Sequence, residues 1–313
     1  MDVSSDDGSG LSEATFGLGT WQWGDQLFWG YGNGYQENDL FELFKYCISQ
    51  NMRFFDTAEV YGSGRSEQLL GKFIRELGEP VYVATKFMPY PWRLSRRSLL
   101  KSLKASLTRL GLQKVNLYQM HWPLPPVTVE AWMEGMIEAV QNGLTGAVGV
   151  SNYDKRQMLT AHNALTRQGV PLASNQVEYH LLNRKIELNG LMEECNQLGV
   201  KVIAYSPLAQ GLLTGKYTPD NPPRGVRGGR ADKRLLVKIQ PLLRAMRRIG
   251  ADHAGKTPAQ VAINWVICKG AIPIPGAKNL NQAEQNLGAM GWTLTEAEMA
   301  ELDELSLAVH KDS

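Results

Sequence analysis

The sequence predicts an α/β fold, a closed (β/α)8 TIM barrel. Three observations carry that prediction. Short apolar runs alternate with helical stripes along most of the 313 residues. From Phe54 to Ser206 the runs recur at about 30 residues, the length of a strand plus its crossover helix, and a gap of nearly 70 residues precedes the last. Eight can be counted, the number that closes a barrel of about 250 residues. An open doubly wound sheet is the alternative, and it should carry G-x-G-x-x-G after its first strand. The nearest match, Gly30–Gly34 (GYGNG), follows no apolar run.

In chain order, an early strand is expected near Thr15–Trp21. Others follow at Phe54–Asp56, Val81–Lys86, Leu117–His121, Ala147–Asn152, Ala173–Val177, Val202–Ser206 and Ala271–Gly276. Leu40, Leu43, Phe44, Cys47 and Ile48 repeat at helical spacing between the first two. Leu69, Leu70, Phe73, Ile74 and Leu77 form the next stripe, and Leu99, Leu103, Leu107 and Leu110 a third. Trp132, Met133, Met136, Ile137 and Val140 make a fourth; Leu188, Leu191, Met192, Cys195 and Leu198 make a fifth. Gly143, Gly169 and Gly199 follow helical patterns, where a left-handed C-cap favours glycine. Residues 1–12 are expected to be a disordered polar tail, and 13–313 one barrel domain with its site on the C-terminal rim.

Composition excludes several classes. A net charge of +2 argues against a nucleic-acid partner. No apolar run approaches the ~18 residues of a membrane span. The three cysteines, Cys47, Cys195 and Cys268, are far apart and lack metal-ligand spacing, so buried reduced thiols and no metal site are expected. That usage fits a reducing compartment, the cytoplasm. Two segments break the regular pattern. Trp21–Tyr35 (WQWGDQLFWGYGNGY) is dense in aromatics and leaves the first strand on the catalytic face, where it suits a substrate wall or a packed cover. Arg224–Arg248 holds nine basic residues against one acid, Asp232. It reads either as a solvated surface or as a flap over a phosphorylated ligand.

The strand ends carry the chemistry. Asp56, Lys86, His121, Ser151 with Asn152, Gln176 with Glu178, and Tyr205 with Ser206 stand at successive ends. Tyr61 follows Asp56 by five residues. A phenol of pKa about 10 is a weak acid at neutral pH, and a nearby ammonium favours its phenolate. A carboxylate keeps that ammonium charged in a buried place. The set suits proton donation to a carbonyl oxygen, with His121 orienting the oxygen. No side chain supplies a nucleophile for the carbon; a nicotinamide hydride does. Ser151, Asn152 and Gln176 suit its carboxamide, and Tyr205 offers a flat face to its ring. Gly276 allows close backbone approach, Lys278 offers charge to a phosphate, and Asn286 suits an adenine edge.

The blocks FFDTAEVYG, VATKF, LYQMHWP, GAVGVSNY, AYSPLAQGLLTGKY and IPGAKNLNQAEQNLGA resemble the signature of the aldo-keto reductase superfamily, in family order, from Gly17 to about Leu305. The resemblance implies NADP(H) bound in extended form across the barrel rim. It implies a catalytic tetrad: Tyr61 as general acid, Lys86 beside it, Asp56 as the partner of Lys86, and His121. Cofactor contacts are implied at Gly19, Thr20 and Trp21, and from Ser206, Pro207, Leu208, Gly211 and Lys216 over the pyrophosphate. Pro275, Gly276, Lys278, Gln282, Gln285 and Asn286 are implied around the 2′-phosphate and adenine. Gln285 stands where several relatives carry an acid. Trp23, Trp29 and Trp122 are expected at the substrate. TWQWGDQLFWGYGNGY and NWVICKGAIPIPGAKN most resemble plant plastid and cyanobacterial members. Similar plant and yeast members reduce pyridoxal, so pyridoxal and other small reactive aldehydes are candidate substrates. In a plant the compartment would be the plastid stroma. The partner expected is a small carbonyl compound, with the protein a monomer or weak homo-oligomer. The potassium-channel β-subunits also resemble this barrel, so a redox-sensing, NADPH-binding regulator is the alternative.

Overall fold

The computed structural model describes residues 10–223 and 233–309. Eight strands form one parallel sheet in chain order: β1 (Leu18–Gly19), β2 (Phe54–Asp56), β3 (Tyr82–Phe87), β4 (Val115–Met120), β5 (Thr145–Ser151), β6 (Leu172–Glu178), β7 (Lys201–Tyr205) and β8 (Ile272–Ile274). The sheet closes on itself. Gly17 N–H donates to Pro273 O at 3.0 Å and Gly19 N–H to Pro275 O at 3.1 Å. The prolines lack an N–H, but closure asks only for their carbonyls. Gly17 is glycine for space, because a Cβ there would meet Phe54 Cδ1 at 2.5 Å.

The helices are α1 (Gly10–Glu13), α2 (Glu37–Ser49), α3 (Arg65–Leu77), α4 (Arg96–Leu110), α5 (Val129–Gln141), α6 (Lys155–Thr166), α7 (Lys185–Leu188) and α8 (Leu191–Gln197). After β7 come α9 (Lys233–Lys238), α10 (Gln240–Asp252), α11 (Pro258–Cys268), α12 (Leu280–Leu287) and α13 (Glu296–Ala308). The first four expected stripes are the core faces of α2 to α5. The fifth is not one helix. Gly190, at φ +74°, breaks it into α7 and α8, and Leu188 is left 73% exposed. Gly143, Gly169 and Gly199 all take the left-handed conformation expected of them.

The tail expected over residues 1–12 differs at its end; residues 1–9 lie outside those described. Gly10–Glu13 form one helical turn, and Leu11 is 2% exposed, packed with Phe54, Tyr82, Leu117, Ile203 and Ile272. Those residues fill the lower barrel. Strand residues alternate in direction, so two positions above this apolar layer the inward files turn polar. Phe54 is followed by Asp56, Ala84 by Lys86, and Leu117 by Gln119. All three polar groups are buried.

Part of the expected basic flap, 224–232, lies outside the described residues. The rest runs into α9 and α10, which pack Leu236, Leu242, Leu243, Met246 and Ile249 into the core. Arg248 pairs with Glu301 and Asp252. Arg247 donates to Gly215 O at 3.1 Å, tying down the loop after β7. No described helix is long and apolar enough to cross a membrane.

Candidate active site

Asp56 ends β2 and Lys86 stands one residue from the end of β3. The Lys86 ammonium donates to Asp56 Oδ1, to Thr57 O at 2.9 Å and to Tyr61 Oη at 3.3 Å. Lys86 has no solvent exposure and Asp56 only 1%. Tyr61 is brought there by a tight turn, Tyr61–Gly64, in which Gly62, Ser63 and Gly64 have φ of 55°, 57° and 90°. A Cβ on Gly62 would also meet the Gly24 backbone at 2.8 Å. His121, just past β4, sets its ring edge-on to Tyr61 at 5.8 Å. Its Nδ1 is buried without a hydrogen-bond partner.

The electrostatics follow from burial and one charge pair. Burial disfavours the Lys86 ammonium, but the Asp56 carboxylate and then Tyr61 outweigh it, so the pKa of Lys86 is raised. Burial raises the pKa of Tyr61, and the Lys86 charge opposes it. Lys86 thus acts in the expected direction, yet burial prevails and the phenol stays protonated. His121 is pushed down to about 3, by burial first and by Lys86 second. It is a neutral imidazole at neutral pH.

Above this cluster opens a cleft of about 1030 Å³. Nearly all of the expected cofactor residues line it. Ser151 Oγ donates to Gln176 O at 2.9 Å, Asn152 Nδ2 to Ser151 Oγ at 3.1 Å, and Tyr205 Oη to Asn152 Oδ1 at 2.9 Å. Asn152, Ser206, Ala209 and Gln210 all take positive φ, from 48° to 63°. Strained non-glycine backbone of this kind clusters at functional sites. Pro207, Leu208, Gly211 and Lys216 continue that wall. Opposite it, Asn286 Nδ2 donates to Gly276 O at 3.3 Å and Lys278 N–H to Gln282 Oε1 at 3.0 Å. Gln285 also lines the cleft, and its Oε1 accepts from Thr257 Oγ1 at 3.5 Å. The Lys278 ammonium donates to Trp29 O at 2.7 Å and lies over the rings of Trp29 and Tyr35. Gly19 and Gly276 leave a backbone cradle. A Cβ on Gly19 would come 3.0 Å from Ile274 O.

Three expected site residues do not line the cleft: Lys86, which is wholly buried beneath its floor, Thr20 and Trp23. Thr20 is wholly buried, with Oγ1 on Asp56 O at 3.0 Å and near Ser66 Oγ at 2.7 Å. Trp23 has no exposure; it packs on Phe55 and Phe73 and donates Nε1–H to Ala277 O at 3.2 Å. It braces the barrel wall instead of touching substrate. Gln176 lines the cleft, but its Nε2 is turned inward to Asp56 Oδ2 at 2.8 Å. Trp21 lies against Tyr61 at 6.2 Å, stacked on Phe28 and edge-on to Trp29. It therefore faces the reacting end of the cleft, beside Trp29 and Trp122.

Sequence reasoning missed other lining residues: Gln22, Val60, Met88, Tyr90, Gln210, Thr214 and Asn281. Met88 and Tyr90 belong to the loop after β3, where Tyr90 stacks flat on Trp92 at 4.7 Å. Glu59 fixes that loop by accepting from Met88 N–H at 2.7 Å and from Arg93. Its sequence, MPYPWR, has the same aromatic signal as Trp21–Tyr35.

The family model of the aldo/keto reductases matches residues 15–307. The chain belongs to the aldo/keto reductase family. Pyridoxal reductase, chloroplastic, of Arabidopsis thaliana is 42% identical over 306 residues, 94% of this chain and 83% of that one. A thermostable aldo-keto reductase, Tm1743, solved with the inhibitor epalrestat, superposes with a TM-score of 0.75 at 31% identity, covering 93% of this chain and 94% of that one. An aldo/keto reductase from Klebsiella pneumoniae, solved with NADP and acetate, gives 0.73 at 29% identity, covering 93% and 91%. Family membership accounts for the closed barrel and for a rim built from strand-end polar groups.

Proposed function

We propose that this chain reduces a small aldehyde or ketone to the alcohol with NADPH, and that Tyr61 donates the proton. The observation that carries the reading is the Tyr61 hydroxyl, 3.3 Å from a Lys86 ammonium that Asp56 holds in a solvent-free pocket at the floor of a long cleft. The enzyme is an NADP-dependent oxidoreductase, and its cofactor is NADP(H). When bound, the cofactor supplies a hydride to the carbonyl carbon. The residues present fit it. Ser151, Asn152 and Gln176 would hold the carboxamide and Tyr205 would support the ring. The wall from Ser206 to Gly211 with Lys216 would hold the pyrophosphate, and Gly276 to Asn286 with Lys278 the phosphorylated adenosine.

Tyr61 then hands its proton to the carbonyl oxygen as negative charge grows there. The adjacent ammonium stabilises the phenolate left behind. Neutral His121 orients the oxygen without competing for the proton. Trp21, Trp29, Trp122, Met88 and Tyr90 give the substrate end flat apolar walls. Such walls suit a planar ring, and the similarity to a pyridoxal reductase supports pyridoxal as the first substrate to try. The test is NADPH absorbance with pyridoxal, methylglyoxal, 4-nitrobenzaldehyde and a sugar aldehyde. Turnover of the ring aldehydes, slowed by at least about 10²-fold in Tyr61→Phe, is the expected result. Equal turnover by Tyr61→Phe would refute the role of Tyr61.

A further inference from the structure

Asp56 has two carboxylate oxygens, and Lys86 occupies only Oδ1. Oδ2 accepts from two amides: Gln176 Nε2 at 2.8 Å and, beneath the cleft lining, Gln119 Nε2 at 3.2 Å. A carboxylate can only accept, so both glutamines must present their NH2 groups to it. The Gln119 carbonyl oxygen then faces Ser174 Oγ and Gln176 Nε2, each at 3.4 Å. Gln119 and Ser174 are wholly buried, and Gln119 does not line the cleft. It stands on β4 two residues before His121, which follows the strand's end.

A second observation concerns Gly149 on β5. Its φ is not positive, so conformation does not require glycine. Space does. A Cβ there would stand 2.3 Å from Ser174 Oγ and 3.1 Å from Gln119 Cγ. The barrel interior is hollowed at this point for the amide cluster.

We propose that Gln119 is a positioning residue for the reduction, a role that rests on the function proposed above. It touches neither substrate nor cofactor. Its N–H group stabilises the negative charge of Asp56, which sustains the Lys86 ammonium beside Tyr61. Its carbonyl oxygen holds the Gln176 amide in one orientation, which leaves Gln176 Oε1 as the end for the cofactor's carboxamide N–H. The charged and titratable groups around Asp56 are Lys86 from β3, Tyr61 from the turn after β2 and His121 from the end of β4. Without Gln119, Asp56 draws the Lys86 proton closer, Tyr61 senses less positive charge, and its pKa rises. In alcohol oxidation the phenolate is the base, so the rising limb of the pH profile moves to higher pH.

The experiment compares Gln119→Leu and Gln119→Glu with the wild type and Tyr61→Phe. It reads the pH profile of alcohol oxidation, NADP+ affinity by tryptophan quenching without turnover, and thermal melting. In Gln119→Leu the limb should move up by about half to one pH unit, and NADP+ affinity should fall about fivefold, the scale of one ordinary hydrogen bond lost when the Gln176 amide is no longer held. In Gln119→Glu the protonated carboxyl can still donate to Asp56. Its NADP+ affinity should therefore fall more steeply than the wild type's as pH rises and that carboxyl ionises. A role in packing alone would move the melting temperature and leave both profiles in place. If Gln119→Leu does not fold, Gln119→Glu decides. A wild type that works, with variants whose limb and affinity match it, overturns this proposal alone. A wild type that neither binds NADP+ nor reduces carbonyls overturns the proposed function and this role with it.

Discussion

The Lys278 ammonium donates to the main-chain carbonyl of Trp29 at 2.7 Å, across 249 residues of sequence. This bond joins the proposed phosphate end of the cleft to the aromatic wall at its reacting end. Trp29 meets Trp21 edge-on at 5.4 Å, and Trp21 lies against Tyr61. Replacing Lys278 by Met should affect both ends. NADP+ affinity should drop about tenfold, as for loss of a charge-assisted bond, while NAD+ affinity changes little. The KM for carbonyl should rise as the loop loosens. Titration of tryptophan fluorescence with each nucleotide measures the first effect. Equal loss for NADP+ and NAD+ would remove Lys278 from the 2′-phosphate.

Tyr61→Phe should lower carbonyl reduction by about 10²- to 10⁴-fold, the usual contribution of a general acid. The ring stays, with its contacts to Trp21 and His121, so melting temperature and NADPH affinity should hold near wild type.

The pH profile of reduction should lack a histidine limb near neutrality. His121 is neutral down to about 3. As the proposed acid, Tyr61 has to be protonated, and its pKa is raised by burial. The rate should therefore stay flat through neutral pH and fall only as alkaline pH ionises the phenol. A limb near pH 6 to 7 that disappears in His121→Gln would contradict this.

Stability should depend on His121 in the opposite pH range. Its folded pKa of about 3 lies below the unfolded 6.5. Between those values the unfolded chain binds the proton and the folded chain does not, so stability rises with pH there. The protein should lose stability as pH falls from 6.5 towards 3. Urea unfolding at pH 7 and pH 4.5 should show a smaller loss for His121→Gln than for wild type.

Gly149→Ala should destabilise the fold by about 1–3 kcal/mol, as overpacking of a close-packed interior does. The chief cause is the Ser174 hydroxyl 2.3 Å from the new methyl, with Gln119 Cγ at 3.1 Å and Ser174 O at 3.2 Å behind it. Pairing it with Ser174→Gly should restore part of the loss in a urea-melt cycle. No recovery would locate the clash elsewhere.

The fold was legible because short apolar runs and helical stripes of period 3.6 are local. Phe54–Asp56 and the stripe of Leu69, Leu70 and Phe73 each identify themselves without reference to distant chain. The gathering of Asp56, Lys86 and His121 was legible too, since a barrel puts all strand ends on one rim, and Tyr61 joins them from the turn after β2. Trp23 was not. It is two residues from Trp21, but the turn after β1 sends one ring into the cleft and the other into the core. Spacing has no meaning once the strand has ended. Gln176 was placed correctly but its amide direction depends on Gln119 and Asp56, from two other strands. Gln119 itself sits two residues before His121 in YQMH, so counting back by the strand period would have found it.

The three thiols carry a practical consequence. Cys47 and Cys195 are buried and pushed up to about 12, and half-buried Cys268 is raised as well, all chiefly by burial. Thiolate is the reactive form, so the native cysteines should label slowly. Leu27, fully exposed in the aromatic loop, then becomes a position where one engineered cysteine could carry a dye without background. A fluorophore there would test directly whether nucleotide binding moves the loop, in a chain that retains all of its own sulfur.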